Sequence, residues 1–287
     1  MHGLPRIRPS LAGVSLVLAA AALVACRQEP APDNNVAEVA PSLQGVPLPQ
    51  PPLNREQLLL AAMRSASDFA AGVDDSRRQR DLAEKSFEFR IRFGCEGPAS
   101  DGADFGWSLN QNRRTLKVIA TPTLSAKDAS VEAVAGERFE GAEGFWIQWP
   151  WLLSPTCPKP DQAIGDDSAE SATAAGMVDV AAPGPTDDTE ARTVGIAQFF
   201  AATDARTMRR SGRPYEATTR LDEGDAPAGG FDLILTGRLK PLPDGRVIAC
   251  SRSSAGGRPT CLISVEFERV SIERADTGEE LAQWRTG

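Results

Sequence analysis

The chain has 287 residues, 24% of them charged, with 31 basic side chains against 39 acidic ones and a formal net charge of −8. That balance excludes a nucleic-acid binder, whose phosphate contacts need a basic surface. The single histidine is His2, so the body of the chain has no imidazole for a Ser/His/Asp or Cys/His mechanism or for a histidine-ligated zinc or copper site.

At the start of the chain, Arg6 and Arg8 precede an apolar run from Leu11 that ends in Leu23-Val24-Ala25-Cys26. At roughly 15 residues the run is short of the ~20 that span a bilayer. A positive leader, an apolar centre and a small-residue cleavage site mark it as a targeting segment. It resembles the signal peptide and lipobox of bacterial lipoprotein precursors. The resemblance implies that residues 1–25 are removed, that Cys26 is acylated (palmitate included), and that the protein works in the cell envelope. In that class an aspartate after the lipidated cysteine favours the inner membrane. Arg27 stands there, which implies the periplasmic face of the outer membrane. Residues 1–25 hold two arginines and no acid, so their loss brings the net charge to −10. So acidic a chain does not adhere to anionic lipid, and the acyl chains do the anchoring.

Residues 26–53 form a tether after the cysteine. Seven prolines between Pro30 and Pro52 sit among small and polar residues without apolar periodicity, a composition that cannot bury a core. As a flexible coil such a segment spans roughly 30 Å, and as polyproline II up to about 80 Å. The region 54–157 opens with a helix. Asn54 and Gln57 stand at capping-box positions, Leu53 and Leu58 at staple positions, and Gly72 is a natural stop. Leu58, Leu59, Ala62, Met63, Ala66, Phe69 and Ala70 fall on one face. After a charged connector, Asp74–Arg80, the period becomes two: Phe87, Phe89, Ile91 and Phe93 point one way, Glu88, Arg90 and Arg92 the other, which predicts a half-buried strand. A hairpin is expected from Gly106–Asn110 to Thr115–Thr121, and a further strand over Gly144–Leu152.

From 158 to 192 alanine, serine, glycine and proline dominate, with eight acids against Lys159 and Arg192. This is read as an acidic low-complexity insertion that separates two β regions. Its carboxylates are scattered rather than spaced around a turn, unlike a calcium loop. The region 193–287 predicts strands at Val194–Phe200, Tyr215–Leu221, Phe231–Leu239, Arg246–Ser251, Cys261–Glu273 and Glu279–Trp284, with Asp204 capping a short helix through Arg210. Pro243-Asp244-Gly245 is a turn sequence, which suggests a hairpin between the strands on either side. The expected fold is mainly β (α+β): antiparallel hairpins forming a sandwich or barrel-like core, with one N-terminal amphipathic helix.

With Cys26 acylated, Cys95, Cys157, Cys250 and Cys261 remain. An even number in an exported chain reads as two disulfides. The favoured pairing is Cys95–Cys157 with Cys250–Cys261, because the second pair brackets a short polar stretch between two strand-like runs. A four-thiolate metal site lacks C-x-x-C spacing. No lysine stands three residues after a serine, and no nucleophile elbow, phosphate loop, dinucleotide fingerprint or calcium loop is present. No cofactor or metal is implied.

Three constellations invite a functional reading. GFWIQWPWLL gathers aromatics in a chain that is 6% aromatic. If it is extended, Phe145, Ile147, Trp149 and Trp151 share one face, while Trp146 and Gln148 share the other. Trp146 and Gln148 are then either a stacking surface for a sugar ring or peptide, or the cover of a core edge. Asp101 and Asp104 are paired carboxylates beside Trp107, as a glycosidase would need but also as a solvated turn would show. Arg206, Arg209, Arg210 and Arg213 suit anion binding or simply a helix C-terminus. The sequence favours a non-enzymatic binding or scaffolding module facing the periplasm, anchored in the membrane through Cys26, with an envelope protein or glycan as partner. The alternative is a carboxylate-dependent hydrolase of cell-wall polymers.

Overall fold

The computed structural model describes residues 50–99, 102–158, 192–205, 210–225, 227–254 and 256–286. The signal segment, Cys26, most of the tether and nearly all of the acidic insertion lie outside the described residues. Gln50–Gly287 form one compact unit.

Helix α1, Arg55–Ala71, starts where the capping box places it. Asn54 Oδ1 accepts from the Gln57 N–H and Gln57 Oε1 accepts from the Asn54 N–H, both at 3.0 Å. Gly72 ends the helix at φ 67, a left-handed turn that glycine makes without strain. The buried face is Arg55, Leu58, Leu59, Ala62 and Ser65. Met63 and Phe69, expected on it, are 50% and 38% exposed. Met63 is rotated off the buried meridian, and Phe69 sits in the last turn with the Arg252 guanidinium 5.5 Å from its ring centre. The charged connector is a second helix, α2 (Ser76–Leu82). It lacks apolar periodicity because its one buried side chain is Gln79. Gln79 Nε2 donates to Ser65 Oγ and Asp75 Oδ2, and Oε1 accepts from the N–H groups of Val247 and Ile248.

The strands are β1 (Ser86–Phe93), β2 (Phe105–Asn110), β3 (Thr115–Ala120), β4 (Leu124–Ser125), β5 (Gly141–Trp146), β6 (Val194–Phe200), β7 (Tyr215–Arg220), β8 (Phe231–Leu239), β9 (Ile248–Ser251), β10 (Thr260–Arg274) and β11 (Glu280–Arg285), with helix α3 (Ala129–Ala135) between β4 and β5. One sheet runs β1-β8-β10-β6-β5-β4, with β9 and β11 also paired to β10; the other runs β2-β3-β7. The arrangement is sandwich-like and mainly β, not a closed barrel. The two β regions flanking the insertion are interleaved: β1 pairs with β8, β5 with β6 and β3 with β7, so they build one core.

Two expectations about pairing are corrected. Cys261–Ser264 of β10 runs parallel to Val194–Ala197 of β6, so the large sheet is mixed. Pro243-Asp244-Gly245 does turn, with the Gly245 N–H on the Leu242 carbonyl at 2.8 Å, but β8 and β9 do not form a hairpin. Ser264 accepts from the Lys240 N–H and donates to the Val247 carbonyl. In a strand the N–H and C=O of one residue point to the same side. The stretch 240–247 is therefore an excursion between two segments lying end to end along one edge of β10. The short helix expected after Asp204 is not seen over 201–205; Asp204 instead accepts from the Ala201 N–H at 2.7 Å, and 206–209 lie outside the described residues.

The main core joins Leu58, Leu59 and Ala62 of α1 to Phe87, Phe89, Ile91 and Phe93 of β1, to the inward residues of β8 and β10, and to Leu116, Val118 and Ala217 of the small sheet. A second cluster on the other side of β6 holds Leu124, Val131, Ala135, Trp146, Ala197, Phe199 and Leu262. All seven residues of β6 are buried, as a strand covered on both faces requires. Cys95 is bonded to Cys157, and Cys250 to Cys261, which face each other in the β9–β10 register.

Candidate functional site

Strand β5 gains one further rung, the Ile147 N–H on the Val194 carbonyl at 2.9 Å, and then the extended chain ends. Trp149 sits at φ 48, a left-handed conformation that is a genuine outlier for a bulky residue and more so before a proline. The Leu152 N–H closes the turn on the Trp149 carbonyl at 2.9 Å. The alternation expected over Gly144–Leu152 thus stops before Trp149 and Trp151.

Arg55 holds this turn in place. Its Nε donates to the Leu152 carbonyl at 3.0 Å and its Nη2 to the carbonyls of Gln148 and Trp149 at 3.3 and 3.2 Å; Nη1 donates to the Arg90 carbonyl at 3.0 Å. The side chain is buried, and its guanidinium carbon lies 5.2 Å from the Phe89 ring centre. No carboxylate is ion-paired with it among the described residues. Burial pushes its pKa down to about 10, against the opposing pull of Asp232. The far end of the segment is fixed by Cys157, whose disulfide reaches Cys95 just beyond β1 with 5.7 Å between Cα atoms.

The turn forms one wall of a cleft of about 510 Å³ lined by Asp104, Phe105, Thr123, Trp146, Ile147, Gln148, Trp149, Trp151 and Arg192. Trp151, at 66% exposure, is the most exposed of the large apolar side chains described. Phe105 braces the floor against Phe93 and Phe145, with ring centres 5.6 and 5.8 Å away. Thr123 Oγ1 accepts from the Trp146 N–H at 3.0 Å. Asp104 and Arg192 are exposed, and neither side chain has an ion-pair partner among the described residues. Their main chains are fixed: the Asp104 carbonyl accepts from Thr121 N–H at 2.7 Å, and the Arg192 carbonyl from Thr260 Oγ1 at 3.4 Å. Among the described residues the cleft thus offers an exposed indole, one carboxylate, one guanidinium and one amide.

The residues singled out in the sequence fare unequally. Gln148 lines the cleft. Trp146 does not provide a stacking face: it is 7% exposed and packs in the second core cluster, with its Nε1 unpartnered among the described residues. Both sides of β5 are packed, Phe145 in the main core and Trp146 in the second cluster, so Trp146 meets the cleft only at its edge. Asp104 lines the cleft, while Asp101 lies outside the described residues, as do Cys26, Arg206 and Arg209. Trp107 is engaged elsewhere, donating to the Gly94 carbonyl at 3.1 Å. Arg210 and Arg213 donate to carbonyls of their own turn. Arg210 also covers the Tyr215 ring at 4.2 Å, and its N–H, like that of Ser211, reaches the Glu143 carboxylate. Burial, with Glu143 adding to it against Arg210, pushes the Tyr215 hydroxyl up to about 12. Sequence reasoning missed Arg55, Trp151 and Arg192 as site residues.

Among the described residues there is no group of three or more His, Cys, Asp or Glu placed to hold a metal, and no helix long and apolar enough to cross a membrane. Compared with protein-family models, with curated proteins and with solved structures, the chain matches none of them.

Proposed function

We propose that the chain is a lipid-anchored, periplasm-facing envelope protein that works by binding, not catalysis, and that its binding site is the cleft beside the 148–152 turn, occupied by a cell-envelope glycan. The lipobox ending at Cys26 supports the anchor. One observation carries the binding site: a bulky residue at positive φ and a buried arginine with no ion-pair partner among the described residues are both costly, and both occur where the chain presents an exposed tryptophan to a concave surface. Strain of this kind concentrates at ligand sites, and indole faces stack on the C–H faces of sugar rings much as they do on other apolar surfaces. The hydrolase alternative requires two carboxyl groups across the scissile bond; among the described residues the lining supplies Asp104 alone. Co-sedimentation of the purified protein with isolated cell-wall sacculi tests the reading. The wild type is expected to pellet with the wall, and Trp151→Ala to lose about tenfold in affinity. Equal pelleting of the two proteins, or none by the wild type, would overturn it.

A further inference from the structure

We infer that the ligand of this cleft is an acidic glycan, a pyranose chain bearing carboxylates, with Arg192 reading the carboxylate while Trp151 carries the sugar face. The inference rests on the cleft being a glycan site and goes further by naming the class of sugar. Among the described residues, Arg192 is the one arginine or lysine in the lining and Asp104 the one acid. The lining is therefore neutral in a chain whose formal charge is −8. An anionic ligand meets repulsion from the molecule as a whole, so it needs a local cation to be held, and a guanidinium with no ion pair among the described residues supplies paired donors in the plane that a carboxylate presents.

Arg192 is set on a firm base. Its carbonyl is held by Thr260, and the next residue, Thr193, accepts from the Cys261 N–H at 2.9 Å where the parallel β6–β10 pair begins. A donor on a fixed backbone in the same cleft as an exposed tryptophan discriminates by position as well as charge. Asp104 lacks donors and cannot take a second carboxylate, but it accepts from hydroxyl and amide N–H groups.

A peptide bound by strand addition would need free main-chain donors along the wall. Those of Trp146 and Ile147 are already taken, by Thr123 Oγ1 and the Val194 carbonyl. Recognition therefore falls to side chains, which suits a hydroxyl-rich ligand.

The test uses the mature chain from Cys26 in detergent and titration calorimetry with four probes. They are a peptide-free alternating N-acetylglucosamine/N-acetylmuramic acid oligomer, an oligogalacturonate, a neutral N-acetylglucosamine oligomer and an oligoglutamate peptide. The wild type is expected to bind at least one acidic sugar about tenfold or more tighter than the neutral one, and which of the two it prefers identifies the source. Arg192→Gln is expected to bring that ratio near one, and Arg192→Lys to keep part of it. Raising the salt concentration should weaken the acidic sugars alone. Equal wild-type affinity for neutral and acidic sugars would overturn the acidic-glycan inference and leave the glycan site standing. So would an Arg192→Gln variant that keeps the full preference. Tighter binding of oligoglutamate than of either acidic sugar would overturn the sugar assignment, and no binding of any probe would overturn both readings.

Discussion

Arg55 stands at the first helical position of α1, where the macrodipole disfavours a cation, and is buried there on three carbonyls of the cleft wall and one of β1. Hydrogen bonds from a charged donor are worth more than neutral ones, and acceptors left unsatisfied by its removal cost their full desolvation. Arg55→Met should therefore lower stability by about 3 kcal/mol and loosen the 148–152 turn. Urea melts check the first effect, and acrylamide quenching of tryptophan fluorescence the second; an unchanged midpoint would refute the role assigned to Arg55. Tyr215 gives a cleaner signal because it is the only tyrosine in the chain. Its folded pKa of about 12 lies above the ~10 of an unfolded tyrosine. The folded state thus holds the proton more tightly, and the stability linked to it is intact below pH ~10 and lost as pH rises from there through the folded value. Tyrosinate absorbance should show one transition near pH 12 in the native protein and near 10 in denaturant; a native transition near 10 would mean that Tyr215 is exposed. The capping box was legible from Asn54 and Gln57 because its partners are three residues apart. Arg55, between them, was not, because its acceptors at Gln148, Trp149 and Leu152 are more than ninety residues downstream.

At the scale of strands, the same contrast between near and far recurs. The alternation in SFEFRIRF placed β1 and its inward face, and Val194–Phe200 and Phe231–Leu239 match β6 and β8 residue for residue, because periodicity records local burial. Partner choice is not local: the excursion 240–247 reads as a hairpin until Ser264 of β10 is seen bonded to both of its ends. The aromatic run failed for a related reason. A period of two separates Phe145 from Trp146 but does not reveal that β4 and α3 cover the second face. Close packing at this point is also visible at Gly144, where a Cβ would lie 2.1 Å from the Ile196 carbonyl oxygen. Trp146→Ala should accordingly cost about 3–5 kcal/mol as a large core deletion. Trp146→Phe, which discards an unpartnered N–H, should cost far less, and Trp151→Ala should leave the thermal midpoint nearly unchanged. Thermal melts of the three variants order them; a Trp146→Ala protein as stable as Trp151→Ala would show that the second cluster is not a packed core.

For the molecule as a whole, the anchor proposal predicts that Cys26→Ala blocks acylation. Labelling with a clickable fatty acid should mark the wild type and leave the variant unmarked; equal labelling would remove the lipid from the account. If the lipid is there, the way the chain enters the fold acquires a mechanical meaning. Leu53 lies against the edge of β1, its N–H on the Ser86 carbonyl and its carbonyl on the Glu88 N–H, both at 2.9 Å. Two residues later comes Arg55, whose guanidinium holds the cleft wall. Tension along the tether would then enter the fold at a single-residue bridge held by two hydrogen bonds. The next side chain to take the load would be the one that holds the cleft wall, so a taut tether and an intact cleft compete for the same arginine.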